Sequence, residues 1–212
     1  NYVEGVEKSR LELRPTIYYK ARKFELPAVK VADGFYQNGE TYAASTEFYI
    51  TSKDGFHAFR DLINNDNGVI EDYIAKGFFS GTVPNFYQSN PFTGKTVKLL
   101  CDVDEGDVAV KPIGMTTKSP GVTYDKQYFY GIFDGCNNKI SNLCVIDDPA
   151  TADHHVGLFG YVVRDGDADA GVRDLTVENA FVSGYNYVGG FIGGIGGAVS
   201  VSNCHLIGFV TL

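Results

Sequence analysis

The sequence predicts an all-β fold in which short strands stack as the coils of a solenoid. Three segments bounded by glycines recur in the second half of the chain: GIFDG at 131–135, GLFG at 157–160 and GFIGG at 190–194. Each precedes a strand-like run with an Asn or Asp, and these residues, Asn142, Asp174 and Asn203, stand 32 and 29 residues apart. A repeat of about 30 residues, rich in Gly, Val and Ile and without helix signals, is typical of stacked β-coils.

Composition agrees with a folded, strand-rich chain. The 212 residues are 44% hydrophobic and include 15 Phe and 14 Tyr, whose rings pack well on a pleated surface. The net charge is −8, and residues 61–212 hold eighteen Asp and Glu against nine Lys and Arg. Because an acidic surface repels a phosphate backbone, we expect no nucleic-acid partner. No run of eighteen apolar residues is present, so this segment is expected not to insert into a membrane.

Residues 1–50 are predicted to form extra N-terminal strands, either added to the end of the main domain or belonging to the tail of a preceding module. Alternating runs such as RLELR and TIYYKARKFEL have the period of strands, and the Asn38-Gly39 pair is typical of a tight hairpin turn.

Residues 51–92 are predicted to be a helical capping segment. After Ser52, a good N-cap residue, apolar side chains recur at helical spacing as far as Asn64-Asn65: Phe56, Phe59, Leu62 and Ile63. A second short helix is predicted over 69–76, before Gly77. An amphipathic helix at this point would cover the open first coil and its unpaired strand edges.

Residues 93–212 are predicted to form the solenoid itself. Buried corners of stacked coils leave no room for side chains, which explains the glycines at Gly157, Gly160, Gly189, Gly190, Gly193 and Gly194. We expect two inner columns of side chains, one containing Val156 and Val188 and the other containing Leu143, Leu175 and Cys204. Asn142, Asp174 and Asn203 are expected to cap turns through hydrogen bonds between coils.

The four cysteines, Cys101, Cys136, Cys144 and Cys204, include no C-x-x-C pair, which excludes a zinc ribbon and a redox motif. Free thiols are favoured, and a Cys136–Cys144 disulfide is the alternative.

Several ordered blocks resemble bacterial surface proteins with GLUG repeats, which are named for a Gly-Leu-any-Gly core. These blocks include ITSKDGFHAFRDLIN, GKTVKLLCDVD, YFYGIFDG, VGLFGYV and YVGGFIGG, and they span about 48–212. Gly157-Leu158-Phe159-Gly160 matches the core, whereas Gly190-Phe191-Ile192-Gly193 has Phe in place of Leu. The resemblance implies a single-stranded right-handed parallel β-helix, exported by bacteria and often attached to the cell surface. It supplies no catalytic residues.

Four tyrosines are the candidate ligand-binding residues. Tyr128, Tyr130, Tyr185 and Tyr187 are predicted on outward faces or corners, and exposed tyrosines often anchor a protein or a sugar. The alternative is that each ring only covers its neighbours on the β surface.

Asp165, Asp167 and Asp169 are the candidate metal ligands. They place an oxygen-bearing side chain at every second residue, as in a calcium loop. The EF-hand pattern then fails, because Ala170 and Thr176 stand where that loop needs Gly and Glu. A solvated acidic corner loop is the other interpretation.

Two further groups are more simply interpreted as structural. Asp102 and Asp104, with Asp107 nearby, offer the paired carboxylates of a glycosidase or a lyase, but their place in the first coil favours structural use. His154 and His155 are adjacent and point apart in an extended chain, which favours a solvated loop over a shared metal.

The sequence therefore predicts a non-enzymatic, exported cell-surface module for adhesion or ligand display, with a host or matrix protein or a glycan as partner. A carbohydrate-active β-helix enzyme and a purely structural stalk are the alternatives. The GFVTL strand at the end of the sequence has no capping helix like that at 52–76. We therefore expect the last coil to be covered by further repeats or by self-association with a partner copy.

Overall fold

The computed structural model describes residues 16–19, 22–25, 28–64, 69–82, 89–117, 125–146, 155–208 and 210–211. Strands dominate this part of the chain, and its two helices both fall within the predicted capping segment. The expectation of a strand-rich chain with few helices is confirmed. His154 and portions of the segments predicted over 1–50 and 51–92 lie outside the described residues.

The N-terminal strands pair antiparallel. Strand β1 (Thr16–Tyr19) pairs with β2 (Arg22–Glu25), and β3 (Val29–Ala32), β4 (Phe35–Gln37) and β5 (Glu47–Ile50) form a meander. Because the strands of the meander join a larger sheet that continues in parallel, that sheet is mixed.

The tight hairpin turn of the meander lies at Asp33-Gly34, where Gly34 has a φ of 71°. The Asn38-Gly39 pair instead opens a longer loop between β4 and β5. The Asn38 side-chain oxygen accepts hydrogen bonds from the backbone nitrogens of Thr46, at 2.9 Å, and Glu47, at 3.1 Å. The side chain thus holds a nine-residue loop closed where the sequence predicts a tight turn.

Helix α1 (Lys53–Asn64) and helix α2 (Val69–Ala75) follow the meander. The Ser52 hydroxyl accepts a hydrogen bond from the Gly55 nitrogen at 3.1 Å, so the predicted N-cap is confirmed. The four predicted apolar residues of α1 are fully buried: Phe56, Phe59, Leu62 and Ile63.

The remaining strands are β6 (Thr96–Leu99), β7 (Val103–Asp104), β8 (Ala109–Val110), β9 (Met115–Thr117), β10 (Asp125–Gln127), β11 (Ile132–Ser141), β12 (Cys144–Ile146), β13 (Phe159–Val163), β14 (Gly171–Glu178), β15 (Phe181–Ser183), β16 (Ile192–Gly196), β17 (Ser200–Ser202), β18 (His205–Ile207) and β19 (Val210–Thr211). Strands β9 and β10 pair antiparallel.

Most of the other strands pair in parallel. We call each stretch of chain whose strands pair in parallel with those of the stretch before it a layer. In the largest sheet the order β5, β6, β11, β14, β17 is parallel throughout, with β7 and β18 pairing along the same long strands. A second sheet stacks β8, β12, β15 and β19, and a third pairs β13 with β16. Successive segments of the chain therefore contribute strands to the same sheets, and in the largest sheet β6 and β7 both pair with β11, as β17 and β18 do with β14.

The layers differ in length. Asp134 and its partner Arg173 in the next layer are 39 residues apart, whereas Asp174 and its partner Asn203 are 29 apart. One cause lies in β11, which bulges between Asp134 and Asn138, with Cys136 and Asn137 at positive φ. The layers are therefore not aligned by a repeat of constant length.

Because the layers differ in length, one predicted column of inner side chains is wrong, and the partners of the turn residues differ from one layer to the next. Leu175 lies level with Asn138, while the Leu143 carbonyl accepts from the Phe181 nitrogen at 2.8 Å, so Leu143 and Leu175 stand in different columns. The predicted Val156–Val188 pair does form a parallel bridge.

The Asn and Asp side chains do join neighbouring layers. Asn203 donates to Asp174 at 2.5 Å, but Asn142 donates to Asp104 at 2.8 Å, in a different corner. All three predicted turn residues have a positive φ, between 49° and 53°.

Helix α1 packs against the interior of the first layers. The Phe59 ring centroid lies 5.7 Å from those of Phe92 and Phe129 and 5.9 Å from that of Phe133. On the polar side of the helix, His57 Nε2 lies 2.8 Å from the buried Glu105 carboxylate. These contacts fix the helix on the sheet by both an aromatic cluster and a polar pair in which the carboxylate is buried.

The four cysteines, all within the described residues, form no disulfide, so the alternative Cys136–Cys144 link is absent.

Candidate functional site: an aromatic strip

Four aromatic side chains from three layers form a continuous strip on the outer surface. The strip consists of Tyr128, Tyr161, His155 and Tyr187. The Tyr128 and Tyr161 rings stack at 4.5 Å with 29° between their planes, and the edge of Tyr161 meets His155 at 4.7 Å. His155 in turn stacks on Tyr187 at 4.7 Å with 6° between the planes. Each ring contacts the next, so the strip crosses from one layer to another.

Strand alternation positions the first two rings. Phe129 is fully buried and forms a parallel bridge with buried Val162, so the residues before them, Tyr128 and Tyr161, are both directed outward and lie side by side. The alignment of the buried residues Phe129 and Val162 thereby determines the spacing of the two tyrosine rings on the surface.

The Tyr161 ring lies over a glycine of the neighbouring strand. Tyr161 pairs with Gly194 in the β13–β16 sheet, and its hydroxyl donates to the Ile195 carbonyl at 3.1 Å. A Cβ atom at Gly194 would stand 2.7 Å from two atoms of the Tyr161 ring and closer still to the His155 ring. The absence of a side chain at Gly194 therefore leaves the space that both rings occupy.

The same crowding explains the other predicted corner glycines. A Cβ at Gly157 would meet the Gly189 carbonyl at 2.6 Å, and one at Gly190 would meet the Leu206 side chain at 2.5 Å. Cβ atoms at Gly160, Gly189 and Gly193 would come even closer to backbone atoms. The prediction that these positions have no room for a side chain is confirmed, but their placement at corners is wrong for Gly160 in β13 and for Gly193 and Gly194 in β16, which lie within strands.

Tyr187 is presented in a conformation that is unusual for its residue type. Its φ is 49°, in the left-handed region that bulky side chains seldom adopt. The corner is held by a hydrogen bond from the Val156 nitrogen to the Tyr187 carbonyl at 3.1 Å and by the Val156–Val188 bridge. The side chain is 66% exposed although one of its faces lies on His155. A strained backbone that exposes an aromatic ring is a feature of functional sites.

The other two predicted tyrosines behave differently. Tyr130 lies 6.2 Å from Tyr128 but is only 7% exposed, so the expectation of an exposed ring at this position is corrected. Burial, with smaller contributions from the nearby Tyr128 and Asp165, raises the pKa of Tyr130 to about 12. Tyr185 is 79% exposed, as expected for a corner residue.

The acidic loop begins beside Tyr130. One Asp165 carboxylate oxygen accepts from the Thr93 hydroxyl at 3.2 Å, and the Asp165 carbonyl accepts from Ala168 at 3.1 Å, which closes a turn. The Arg164 guanidinium donates to the Asp167 carbonyl at 3.4 Å, while Asp169 is exposed. Among the described residues no three or more His, Cys, Asp or Glu side chains are grouped to hold a metal ion. Calcium at Asp165, Asp167 and Asp169 stays a prediction.

The carboxylates of the first layer bind backbone and amide groups. The Asp102 carboxylate accepts a hydrogen bond from the backbone nitrogen of Lys139 at 2.9 Å. The Asp104 carboxylate accepts from the backbone nitrogen of Gly106 at 2.9 Å and from the Asn142 side chain. These hydrogen bonds agree with the structural use that the sequence favours. Those from Asn142 and Gly106 lower the pKa of Asp104.

Sequence reasoning missed two members of the strip. The sequence predicts His155 in a solvated loop, and it does not distinguish Tyr161 from the other tyrosines. The sequence feature that could have identified Tyr161 is the pattern shared by Tyr128-Phe129 and Tyr161-Val162, in which a tyrosine precedes an apolar core residue. Only the register between the two strands shows that these pairs are neighbours.

Comparison with protein families, with curated proteins and with solved structures finds no match to this chain. Within the described residues, neither helix has the length or the apolar character needed to cross a lipid bilayer.

Proposed function

We propose that this chain is a non-enzymatic binding module of an exported bacterial surface protein, and that it recognises neutral glycans through the aromatic strip. The observation that carries the proposal is the unbroken series of ring contacts from Tyr128 through Tyr161 and His155 to Tyr187.

The proposal includes the fold. Parallel pairing of successive layers and glycines at crowded positions support a single-stranded right-handed parallel β-helix of the GLUG type. Export and attachment to the bacterial cell surface are part of the same proposal, and they rest on the sequence resemblance.

The chemistry of the strip favours sugars. The face of an aromatic ring carries partial negative charge, and the C–H groups on the flat side of a sugar ring carry partial positive charge, so the two surfaces attract each other. The tyrosine hydroxyls add polar contacts at the rim of such a surface. A strip that crosses several layers offers successive rings to an extended chain of sugars.

The negative charge of the chain favours neutral glycans over acidic ones. The chain has a net charge of −8, and the acidic loop with Asp165 begins beside Tyr130, which neighbours the Tyr128 end of the strip. An acidic polysaccharide would be repelled on approach, whereas a neutral one would not.

The test is a glycan array followed by titration calorimetry on the best neutral glycan. Tyr187→Ala removes an exposed ring at one end of the strip, and we expect it to weaken binding about 10- to 30-fold. Tyr187→Phe is the matched control: it keeps the ring face and is expected to bind within about 3-fold of the unchanged chain.

Three results would contradict the proposal. Equal affinity of the Tyr187→Ala variant would place binding elsewhere. Turnover of a polysaccharide, abolished by Asp104→Asn, would indicate the carbohydrate-active enzyme. Failure of the chain to bind any glycan on the array would leave display of another ligand or a structural stalk.

A further inference from the structure

Two tyrosine side chains from neighbouring layers lie ring against ring at one end of the aromatic strip. The Tyr128 and Tyr161 rings stack with their centroids 4.5 Å apart and 29° between their planes. Both side chains are half-buried, so each phenol is accessible from solvent. Tyr130, the other tyrosine beside Tyr128, lies farther away, at 6.2 Å, and is only 7% exposed.

The backbone holds this pair of rings in place. The Phe129 nitrogen donates to the Tyr161 carbonyl at 3.2 Å, and the Val163 nitrogen donates to the Phe129 carbonyl at 2.9 Å. These hydrogen bonds fix the alignment of the two layers at the point where the tyrosines stand. The Tyr161 hydroxyl donates to the Ile195 carbonyl at 3.1 Å, which restrains its ring. Tyr161 is therefore a fixed partner for Tyr128.

Two phenols in contact are the reactants of oxidative tyrosine coupling. A one-electron oxidant removes one electron and one proton from each phenol, which leaves two tyrosyl radicals. The two unpaired electrons form a carbon–carbon bond between the ring positions ortho to the oxygens. Each ortho hydrogen then moves as a proton to the phenolic oxygen, which restores both aromatic rings. One molecule of hydrogen peroxide accepts the two electrons and two protons and becomes two molecules of water.

The fold favours coupling within one chain over coupling between chains. Groups that are already held side by side react at a high effective concentration. Coupling between two chains needs an encounter, which the net charge of −8 on each chain opposes. Rotation of the half-buried Tyr128 ring brings its ortho carbon to that of Tyr161. The new bond joins residues that are 33 positions apart, and a cross-link of this kind stabilises a fold by restricting the unfolded chain.

We propose that Tyr128 and Tyr161 are an oxidative modification site, at which a peroxidase with hydrogen peroxide forms a dityrosine bond that ties two layers together. The inference does not rest on glycan recognition. Coupling is measured without any glycan, and Tyr187, the ring that tests glycan binding, lies at the other end of the strip.

The test treats the full chain, at low concentration, with a haem peroxidase and hydrogen peroxide. A thiol reductant then reverses any disulfide formed by the four free cysteines. Trypsin cleavage at lysine and arginine places Tyr128 in fragment 127–139 and Tyr161 in fragment 140–164. We expect mass spectrometry to find these fragments joined, with the loss of two hydrogen atoms, in a chain that stays at 23.1 kDa. The cross-linked chain should melt roughly 10 °C higher than the untreated chain.

Tyr130→Phe is the matched control for Tyr128→Phe, because both residues lie in the same tryptic fragment and both changes remove only a hydroxyl. A ring without the hydroxyl forms no tyrosyl radical. We expect Tyr128→Phe to lower the yield of joined fragments at least about 10-fold and Tyr130→Phe to leave it within about 2-fold. Circular dichroism checks that both variants retain the fold.

Four results would overturn the proposal. The first is that the two fragments are not joined after oxidation, and the second is that joining occurs only between chains. The third is that the joined fragments persist in Tyr128→Phe. The fourth is a cross-linked chain with an unchanged melting temperature, since the bond would then not tie the layers together.

Discussion

Replacing Phe59 by Ala tests whether α1 is an integral part of the core. Phe59 is fully buried, and its ring meets those of Phe92 and Phe129 edge-on, at 88° and 86°, and stacks on Phe133 at 27°. The variant would leave a cavity where the helix joins the meander and the first two parallel layers.

The expected magnitude follows from the contacts that are lost. Phe-to-Ala substitutions in well-packed cores cost about 3–5 kcal/mol. Edge-on aromatic pairs contribute about 0.5–1.5 kcal/mol each beyond their buried area, which favours the upper half of that range. We expect a loss of about 4 kcal/mol, a large fraction of the roughly 5–15 kcal/mol that stabilises a typical domain.

Urea unfolding followed by circular dichroism is the suitable assay, because the chain has no Trp. With a slope of about 2 kcal/mol per molar urea, the midpoint should fall by about 2 M. Phe59→Leu is the control: it keeps most of the volume and should cost less than about 2 kcal/mol. A midpoint shift below about 0.5 M for Phe59→Ala, or equal losses for both variants, would refute the assignment of α1 to the core.

Two further predictions concern the strip and the layer contacts. Gly194→Ala should weaken glycan binding about 10-fold by displacing the Tyr161 and His155 rings, whereas Gly196→Ala should not, because its Cβ would meet Val163 at 3.2 Å and Tyr161 at 3.4 Å. Calorimetry that gives the two variants equal affinities would contradict this. Asp104 has a lowered pKa, so the stability it contributes is present above the unfolded value near 3.8 and is lost as the pH falls through the folded value. Asp104→Asn should therefore flatten the fall in melting temperature in this acid range, and an unchanged profile would argue against the interaction with Asn142.

The local elements could be predicted because their signals are local. The spacing of Phe56, Phe59, Leu62 and Ile63 indicates α1, and Ser52 indicates its beginning, since helix periodicity and capping depend on residues close in sequence. Crowded glycines could also be recognised, because a glycine that recurs at a corner indicates close approach of another backbone segment.

The partners of the turn residues could not be predicted in the same way. Asn142, Asp174 and Asn203 look equivalent in the sequence, yet Asn142 binds Asp104 while Asp174 binds Asn203. The bulge in β11 changes which residues of β11 and β14 are paired, and no local sequence pattern marks the residues that form it.

By itself the sequence determined that the chain is strand-rich, that its helices lie in one short segment, and that the recurring glycines stand where a side chain has no room. These properties depend on residue type and on short-range spacing. Only the tertiary structure decided that Tyr161 and His155 join Tyr128 and Tyr187 and that Tyr130 is covered. The physical reason is that each of these outcomes depends on how one layer aligns with the next, and layers of unequal length make that alignment a property of the folded chain.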